Sequence, residues 1–244
     1  MKVEVNKDVF SEAVSFAVKL LPQRTTLPIL SGVLISAEDN AVTISSFDYE
    51  VSAKTRVDAA VDTAGQVLVS GRLLAEIASR LPDDVVNLEL SGSSLSVKSG
   101  SAKFSLATMP IEEYPNLPEV EGIAGSIAGD EFASAVSQVA TAASRDDVTP
   151  VITGVLLDIT ASSLTMMATD RYRVAAKELA WSAAGVAEEG LQALIPARTL
   201  AEIGKTFAHA GSLTITINVG GERELVAFSS AERTVTTLLT ASNP

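Results

Sequence analysis

Asp8-Val9-Phe10-Ser11-Glu12-Ala13-Val14 returns later in the chain as Asp130-Glu131-Phe132-Ala133-Ser134-Ala135-Val136, an offset of 122 residues (132 minus 10). The register then holds without a gap. Leu27-Pro28-Ile29-Leu30-Ser31-Gly32-Val33-Leu34 meets Thr149-Pro150-Val151-Ile152-Thr153-Gly154-Val155-Leu156. Farther on, Val69-Ser70-Gly71-Arg72-Leu73-Leu74-Ala75-Glu76-Ile77 meets Ile195-Pro196-Ala197-Arg198-Thr199-Leu200-Ala201-Glu202-Ile203, the offset having grown to 126 (195 minus 69) by loop insertion. Chance does not keep order and spacing over three segments. The chain therefore reads as two copies of one domain, residues 1–120 and 124–244, since a period this long marks duplicated domains and not a solenoid of short repeats. The joint falls near Pro118 to Ser126, which carries Pro, Gly and acidic residues and little apolar periodicity.

Each copy is predicted to be α+β, with two helices packed on one face of antiparallel sheets. In the first helix Phe10, Ala13, Val14, Ala17, Leu20 and Leu21 recur at three- and four-residue steps, and Phe132, Ala135, Val136, Val139 and Ala140 repeat the stripe. The second helix of each copy is expected over residues 71–81 and 198–208, with Leu74, Ile77 and Leu81, or Leu200, Ile203 and Phe207, turned to the core. Alternating β-branched runs such as Val42-Thr43-Ile44, Leu213-Thr214-Ile215-Thr216-Ile217 and Val235-Thr236-Thr237-Leu238, broken by Asp39-Asn40 or Gly220-Gly221, read as short strands joined by hairpins.

Composition narrows the chemistry. The chain has 244 residues, 47% of them apolar, enough for two ordinary cores. It has no cysteine, which excludes disulfides, thiolate metal sites and cysteine nucleophiles and fits a reducing cytoplasm. The start, Met1-Lys2-Val3-Glu4-Val5-Asn6, alternates charge with apolar residues and does not read as a signal peptide. No stretch approaches the roughly 18 apolar residues of a membrane span. The net charge of −12 argues against an ordinary nucleic-acid binder, whose affinity comes from neutralising phosphates; alone, it reads as a device for solubility.

The positive charges are nonetheless ordered. Arg198 and Lys205, seven residues apart, share the outer stripe of one helix; Arg72 and Arg80 sit similarly on its equivalent. Lys19 ends the first helix, and Arg24 and Arg145 fall in the loops after the first helix of each copy. These residues read either as ordinary solvated faces or as a positive surface repeated by the duplication.

Four further motifs run in order along the chain: Leu27-Pro28-Ile29-Leu30-Ser31-Gly32, Phe104-Ser105-Leu106-Ala107-Thr108-Met109-Pro110, Glu113-Tyr114-Pro115-Asn116-Leu117-Pro118 and Ala168-Thr169-Asp170-Arg171-Tyr172-Arg173-Val174-Ala175. In these motifs, and in its duplication, the chain resembles the β subunit sliding clamps of bacterial replicative DNA polymerase. The resemblance implies a processivity factor that makes no chemistry of its own and needs no cofactor or metal. Such clamps form a homodimeric closed ring of six similar domains, helices lining a wide hole through which duplex DNA passes without sequence readout. An acidic exterior with a modestly basic bore suits sliding, which needs weak attraction and low barriers between registers. Strand edges paired around a ring also leave no edge exposed.

By the same resemblance Arg24 is a DNA-contacting residue, with Arg72, Arg80, Arg145, Arg198 and Lys205 as further candidates. Asp146 and Asp147 beside Arg145 weaken that assignment. The polymerase III α subunit, the clamp loader and other proteins with a clamp-binding motif are expected to dock through short peptides in an apolar pocket formed by Ile152, Thr169, Arg171, Tyr172, Arg173 and Val174, with Pro244 at its edge. Arg173 is expected to offer donors to peptide carbonyls. Without the resemblance, Ala168 to Ala175 reads as a plain strand after a turn. The family carries three copies of the domain and this sequence shows two, so either it is a fragment, expected to be monomeric, or three such chains make a ring. A peptide-binding module that closes no ring on DNA is the other reading.

An enzyme has little to work with. His209 is the only histidine and lies beside a Gly loop; Asp83-Asp84 and Asp146-Asp147 are adjacent pairs, which diverge in direction and suit caps or turns. Trp181, the sole tryptophan, is expected to pack and not to stack on a base. No nucleophile elbow, Walker loop or dinucleotide fingerprint is present.

Overall fold

The structure, a computed structural model, describes residues 1–21, 25–146, 149–184, 190–218 and 224–240. The chain divides into two units, Met1–Pro118 and Glu119–Pro244. Unit 1 runs β1 (Lys2–Asn6), α1 (Lys7–Lys19), β2 (Gly32–Glu38), β3 (Ala41–Phe47), β4 (Val51–Asp58), β5 (Ala60–Thr63), β6 (Gly65–Ser70), α2 (Gly71–Ala78), β7 (Val85–Ser91), β8 (Ser94–Ser99) and β9 (Ala102–Met109). Unit 2 runs β10 (Ile123–Ile127), α3 (Gly129–Val139), α4 (Pro150–Thr153), β11 (Gly154–Ile159), β12 (Ser163–Thr169), β13 (Val174–Ala180), β14 (Ser182–Ala184), β15 (Leu191–Pro196), α5 (Ala197–Phe207), β16 (Leu213–Asn218), β17 (Leu225–Ser230) and β18 (Arg233–Leu238).

Strand pairing shows the duplication directly. In unit 1 the antiparallel runs are β5-β1-β7-β8-β9 and β4-β3-β2-β6. In unit 2 they are β14-β10-β16-β17-β18 and β13-β12-β11-β15, strand for strand the same. The runs of unit 1 meet where Leu68 pairs with Met109; in unit 2 the Thr240 N–H donates to the Leu194 carbonyl at 2.8 Å in the corresponding place. Both units are α+β, as the sequence led us to expect.

The elements form for local reasons. Inward residues alternate along β2 (Val33, Ile35, Ala37) and β12 (Leu164, Met166, Ala168), all buried. Asp39 and Asn40 turn the β2–β3 hairpin with φ of 47° and 58°, the left-handed pair that suits strand twist. Asn6 caps α1, its Oδ1 accepting from the Asp8 and Val9 N–H groups at 2.9 and 3.2 Å. α1 buries Phe10, Ala13, Val14, Phe16 and Ala17, and α3 buries Phe132, Ala135, Val136 and Val139. α1 packs on α2, and α3 on α5. Phe132 meets Phe228 with ring centroids 5.5 Å apart, and truncating such a buried ring to Ala typically costs about 3–5 kcal/mol.

Two expectations are corrected. The second helix of unit 1 stops at Ala78, not 81, so Arg80 lies in the turn after α2 and not on the helix. Ser79 Oγ donates to the Glu76 carbonyl at 3.0 Å, and Pro82 then disfavours helical backbone at Leu81. β10 lies largely inside the stretch read as a joint, paired with both β14 and β16. Its Gly125 hides the strand's pattern: a Cβ there would lie 2.6 Å from the Trp181 ring. Trp181 is a packing residue, buried, with its indole N–H on the Thr160 carbonyl at 2.9 Å.

Candidate functional site

The turn from β12 into β13 is built on Asp170. Its Oδ1 accepts from the Tyr172 and Arg173 N–H groups at 3.2 and 3.0 Å, and its own N–H reaches the Arg173 carbonyl at 3.4 Å. This fold-back puts Arg171 at φ 79°, in the left-handed region. Thr169 Oγ1 steadies it, donating to the Arg173 carbonyl at 2.8 Å and accepting from the Arg171 N–H at 3.2 Å. The arginine side chains then tie the turn to its surroundings. Arg171 Nη2 donates to Thr149 Oγ1 at 3.0 Å, next to α4, and Arg173 Nη2 donates to the Thr141 carbonyl at 2.7 Å.

Arg173 also forms an ion pair with Asp170, Nε to Oδ2 at 3.0 Å. Burial pushes the Asp170 carboxyl up, but the Tyr172 and Arg173 N–H groups and the Arg173 guanidinium outweigh it and hold it below the usual aspartate value. The guanidinium of Arg173 thus braces the turn from its exposed side. Two of its donors are taken by these bonds, while the side chain stays 63% exposed. Sequence reasoning passed over Asp170 as a site residue, although Asp48 stands at the matching position 122 residues earlier.

The turn presents apolar surface between the exposed Arg171 and Arg173. Tyr172 is 97% exposed and Val174 72%, with Val151 half exposed on α4, which lies against β12. Ile152 is half-buried there, its carbonyl accepting from the Ser144 N–H at 2.8 Å. Ile152, Thr169, Arg171, Tyr172, Arg173 and Val174 therefore occupy one neighbourhood of unit 2. Pro244 and Arg24 lie outside the described residues, as do Asp147 and Gly220-Gly221.

The remaining cations fall into two groups. Arg72 and Arg198 are exposed in the first turns of α2 and α5, at equivalent positions, and among the described residues neither is ion-paired. Neither helix has an acidic residue in its first turn, whereas α1 has Asp8 and α3 has Asp130 and Glu131. Since a cation at a helix N-terminus typically costs about 0.3–1 kcal/mol, the helix dipoles disfavour these two arginines. Arg145 and Arg198 line one cleft of about 460 Å³, with Thr141, Ser144 and Thr153. Arg80 is exposed in its turn, and Lys205 is held by Glu202 at 2.6 Å. His209 is exposed in the turn after α5. Among the described residues no helix is long and apolar enough to cross a membrane.

Known proteins match along the whole length. The family described as DNA polymerase III beta subunit, N-terminal domain, matches residues 1–118, and that described as its central domain matches residues 126–244. The beta sliding clamp of Micrococcus luteus is 46% identical over 239 residues, 98% of this chain and 76% of that protein. That of Streptomyces coelicolor is 43% identical over 240 residues, 98% of this chain and 64% of that protein. The solved DNA polymerase sliding clamp of Bacillus subtilis superposes with a TM-score of 0.92 at 27% identity, covering 100% of this chain and 66% of that one. A Pseudomonas aeruginosa sliding clamp bound to griselimycin gives 0.88 at 25% identity, over 100% and 66%. The chain thus spans about two thirds to three quarters of the length of these relatives, and it belongs to the β sliding clamp family of DNA polymerase III.

Proposed function

We propose that the chain works as a sliding clamp: it contributes domains to a ring around duplex DNA, holds that DNA without reading sequence, and tethers the replicative polymerase, the clamp loader and other clamp-binding proteins. It acts in the cytoplasm and performs no chemical step. Family membership along both units supports the reading. The observation that carries it at residue level is the pair Arg72 and Arg198, repeated by the duplication at helix starts where electrostatics disfavours them. A phosphate backbone is the partner that repays such placement. Arg145, on the same cleft as Arg198, joins the phosphate-facing set; Arg80 and Lys205 stand further from it, the one off its helix and the other occupied by Glu202.

The apolar surface of Tyr172, Val174 and Val151, stiffened by the Asp170–Arg173 pair, is the docking place for partner peptides. A rigid aromatic beside aliphatic surface is the usual anchor of a small peptide interface. The test of the DNA reading is association with a short duplex at low salt, followed by fluorescence anisotropy. The Arg72→Glu, Arg198→Glu double variant is expected to weaken it about tenfold, as loss of two phosphate contacts implies, while its melting temperature is unchanged. Association equal to wild type would remove both residues from the DNA surface.

A further inference from the structure

Unit 1 has its own version of the docking turn. Asp48 Oδ1 accepts from the Glu50 and Val51 N–H groups at 2.9 and 2.7 Å, its N–H reaches the Val51 carbonyl at 3.2 Å, and Tyr49 takes φ 74°. These are the bonds of Asp170 with Tyr172 and Arg173, and the backbone of Arg171, 122 residues earlier. The floors correspond too. A Cβ on Gly32 would lie 2.8 Å from Leu68 Cδ1; one on Gly154 would lie 2.7 Å from Leu194 Cδ1. Pairing of β2 with β3 ends at Leu34↔Ser45, and that of β11 with β12 at Leu156↔Met167, so Gly32 and Phe47 splay apart where Gly154 and Thr169 do.

In unit 1 the splay is filled. The Tyr114 hydroxyl accepts from the Phe47 N–H at 2.8 Å and donates to the Gly32 carbonyl at 3.3 Å. Tyr114, Phe47 and Leu68 form a buried cluster apart from the main core, with Ile111, Leu117 and Ile29 packed on it. The segment is a compact one: a 3-10 turn over Ile111–Glu113, closed by the Tyr114 N–H on the Ile111 carbonyl at 3.0 Å, between Pro110 and Pro115. Its apolar residues, Ile111, Tyr114 and Leu117, are spaced three apart and all face one groove.

We propose that unit 1 carries a second copy of the peptide-docking groove, occupied by residues 110–118 of its own chain, and that once vacated it takes a short peptide with an aromatic anchor flanked by aliphatics. The inference rests on the reading of the β12–β13 turn as a docking place. A resident peptide covalently attached holds its groove at high effective concentration, so a free peptide competes poorly with it. The unit 1 groove is thereby kept silent while its own segment stays in place.

The probe is a synthetic peptide of residues 110–118 with blocked ends, titrated by calorimetry into the full chain. Wild type is expected to bind one equivalent, the Tyr114→Ala variant two, and Tyr114→Ala with Tyr172→Ala one. One equivalent in both wild type and Tyr114→Ala overturns the second groove and leaves the unit 2 reading standing. Binding by Tyr114→Ala alone keeps the unit 1 groove and sinks the unit 2 reading. Binding by neither overturns both. Should Tyr114→Ala not fold, Ile111→Ala with Leu117→Ala keeps the bridging phenol and loosens the segment. Amide exchange at Phe47 is then expected to quicken at least tenfold and to slow again when the peptide is added; exchange indifferent to the peptide overturns the proposal.

Discussion

Tyr114 concentrates three influences on one hydroxyl. Burial pushes its phenol up, the Phe47 N–H pulls it part of the way down, and the charge of Asp48 pushes it up again, to about 12 in all. In the unfolded chain a tyrosine ionises near pH 10. The folded state therefore holds this proton when the unfolded state has lost it. The contribution to stability is complete below about pH 10 and is lost as the pH climbs toward about 12. Alkaline urea melts of wild type should show that loss, alongside a late component in the tyrosinate absorbance titration. Tyr114→Phe should remove both. It should also cost roughly 1–3 kcal/mol at neutral pH, since the Phe47 N–H and Gly32 carbonyl lose their shared partner. A constant gap between the two proteins across that pH range would refute the assignment.

At the scale of elements the duplication holds in backbone and departs in side chains, and the start of the first helix shows how. In unit 1 the Lys7 N–H donates to the Asp84 carbonyl at 2.8 Å; in unit 2 the Gly129 N–H donates to the Ala210 carbonyl at 3.0 Å. A Cβ at Gly129 would stand 2.4 Å from the Phe207 carbonyl oxygen and 2.5 Å from that of Ala210, and backbone does not give way cheaply. Gly129→Ala should cost about 1–3 kcal/mol in thermal or urea melts, while Lys7→Ala, at the matching position, should stay within about 0.5 kcal/mol. Equal effects would mean the two helix starts are packed alike. This asymmetry also marks what the sequence could tell. α1, α3 and α5 were legible because their apolar stripes run unbroken, and β3, β16 and β18 because they alternate. β10 was not, since Gly125 answers to Trp181, a residue far along the chain, and not to its neighbours. In the candidate site the exposed Tyr172 and Val174 could be placed from the motif, but the turning of Arg173 onto Asp170 and the Thr141 carbonyl depends on where α3 ends in space. The Glu113 to Pro118 motif was visible as a motif, while the groove it fills required the fold.

For the whole molecule, a net charge of −12 and the proposed role around duplex DNA set a limit on how tightly the two can hold each other. Affinity for duplex DNA falls with salt on a logarithmic slope of about −0.9 for each phosphate neutralised. As the proposed phosphate contacts, Arg72 and Arg198 alone would give a slope near −2; Arg145 would deepen it slightly, and Lys205, held by Glu202, would add less. Over a fourfold rise in salt that is a loss of roughly fifteenfold to sixtyfold, against about a thousandfold or more for a protein making six to ten phosphate contacts. A shallow slope also means low barriers between neighbouring registers, because little has to be broken at each step. The expected result is a slope between about −2 and −3 for wild type by anisotropy, moving toward zero in the Arg72→Glu, Arg198→Glu variant. A wild-type slope of about −6 or steeper would show that attraction, spread over many cations, does the holding, and the acidic surface would then need a different explanation.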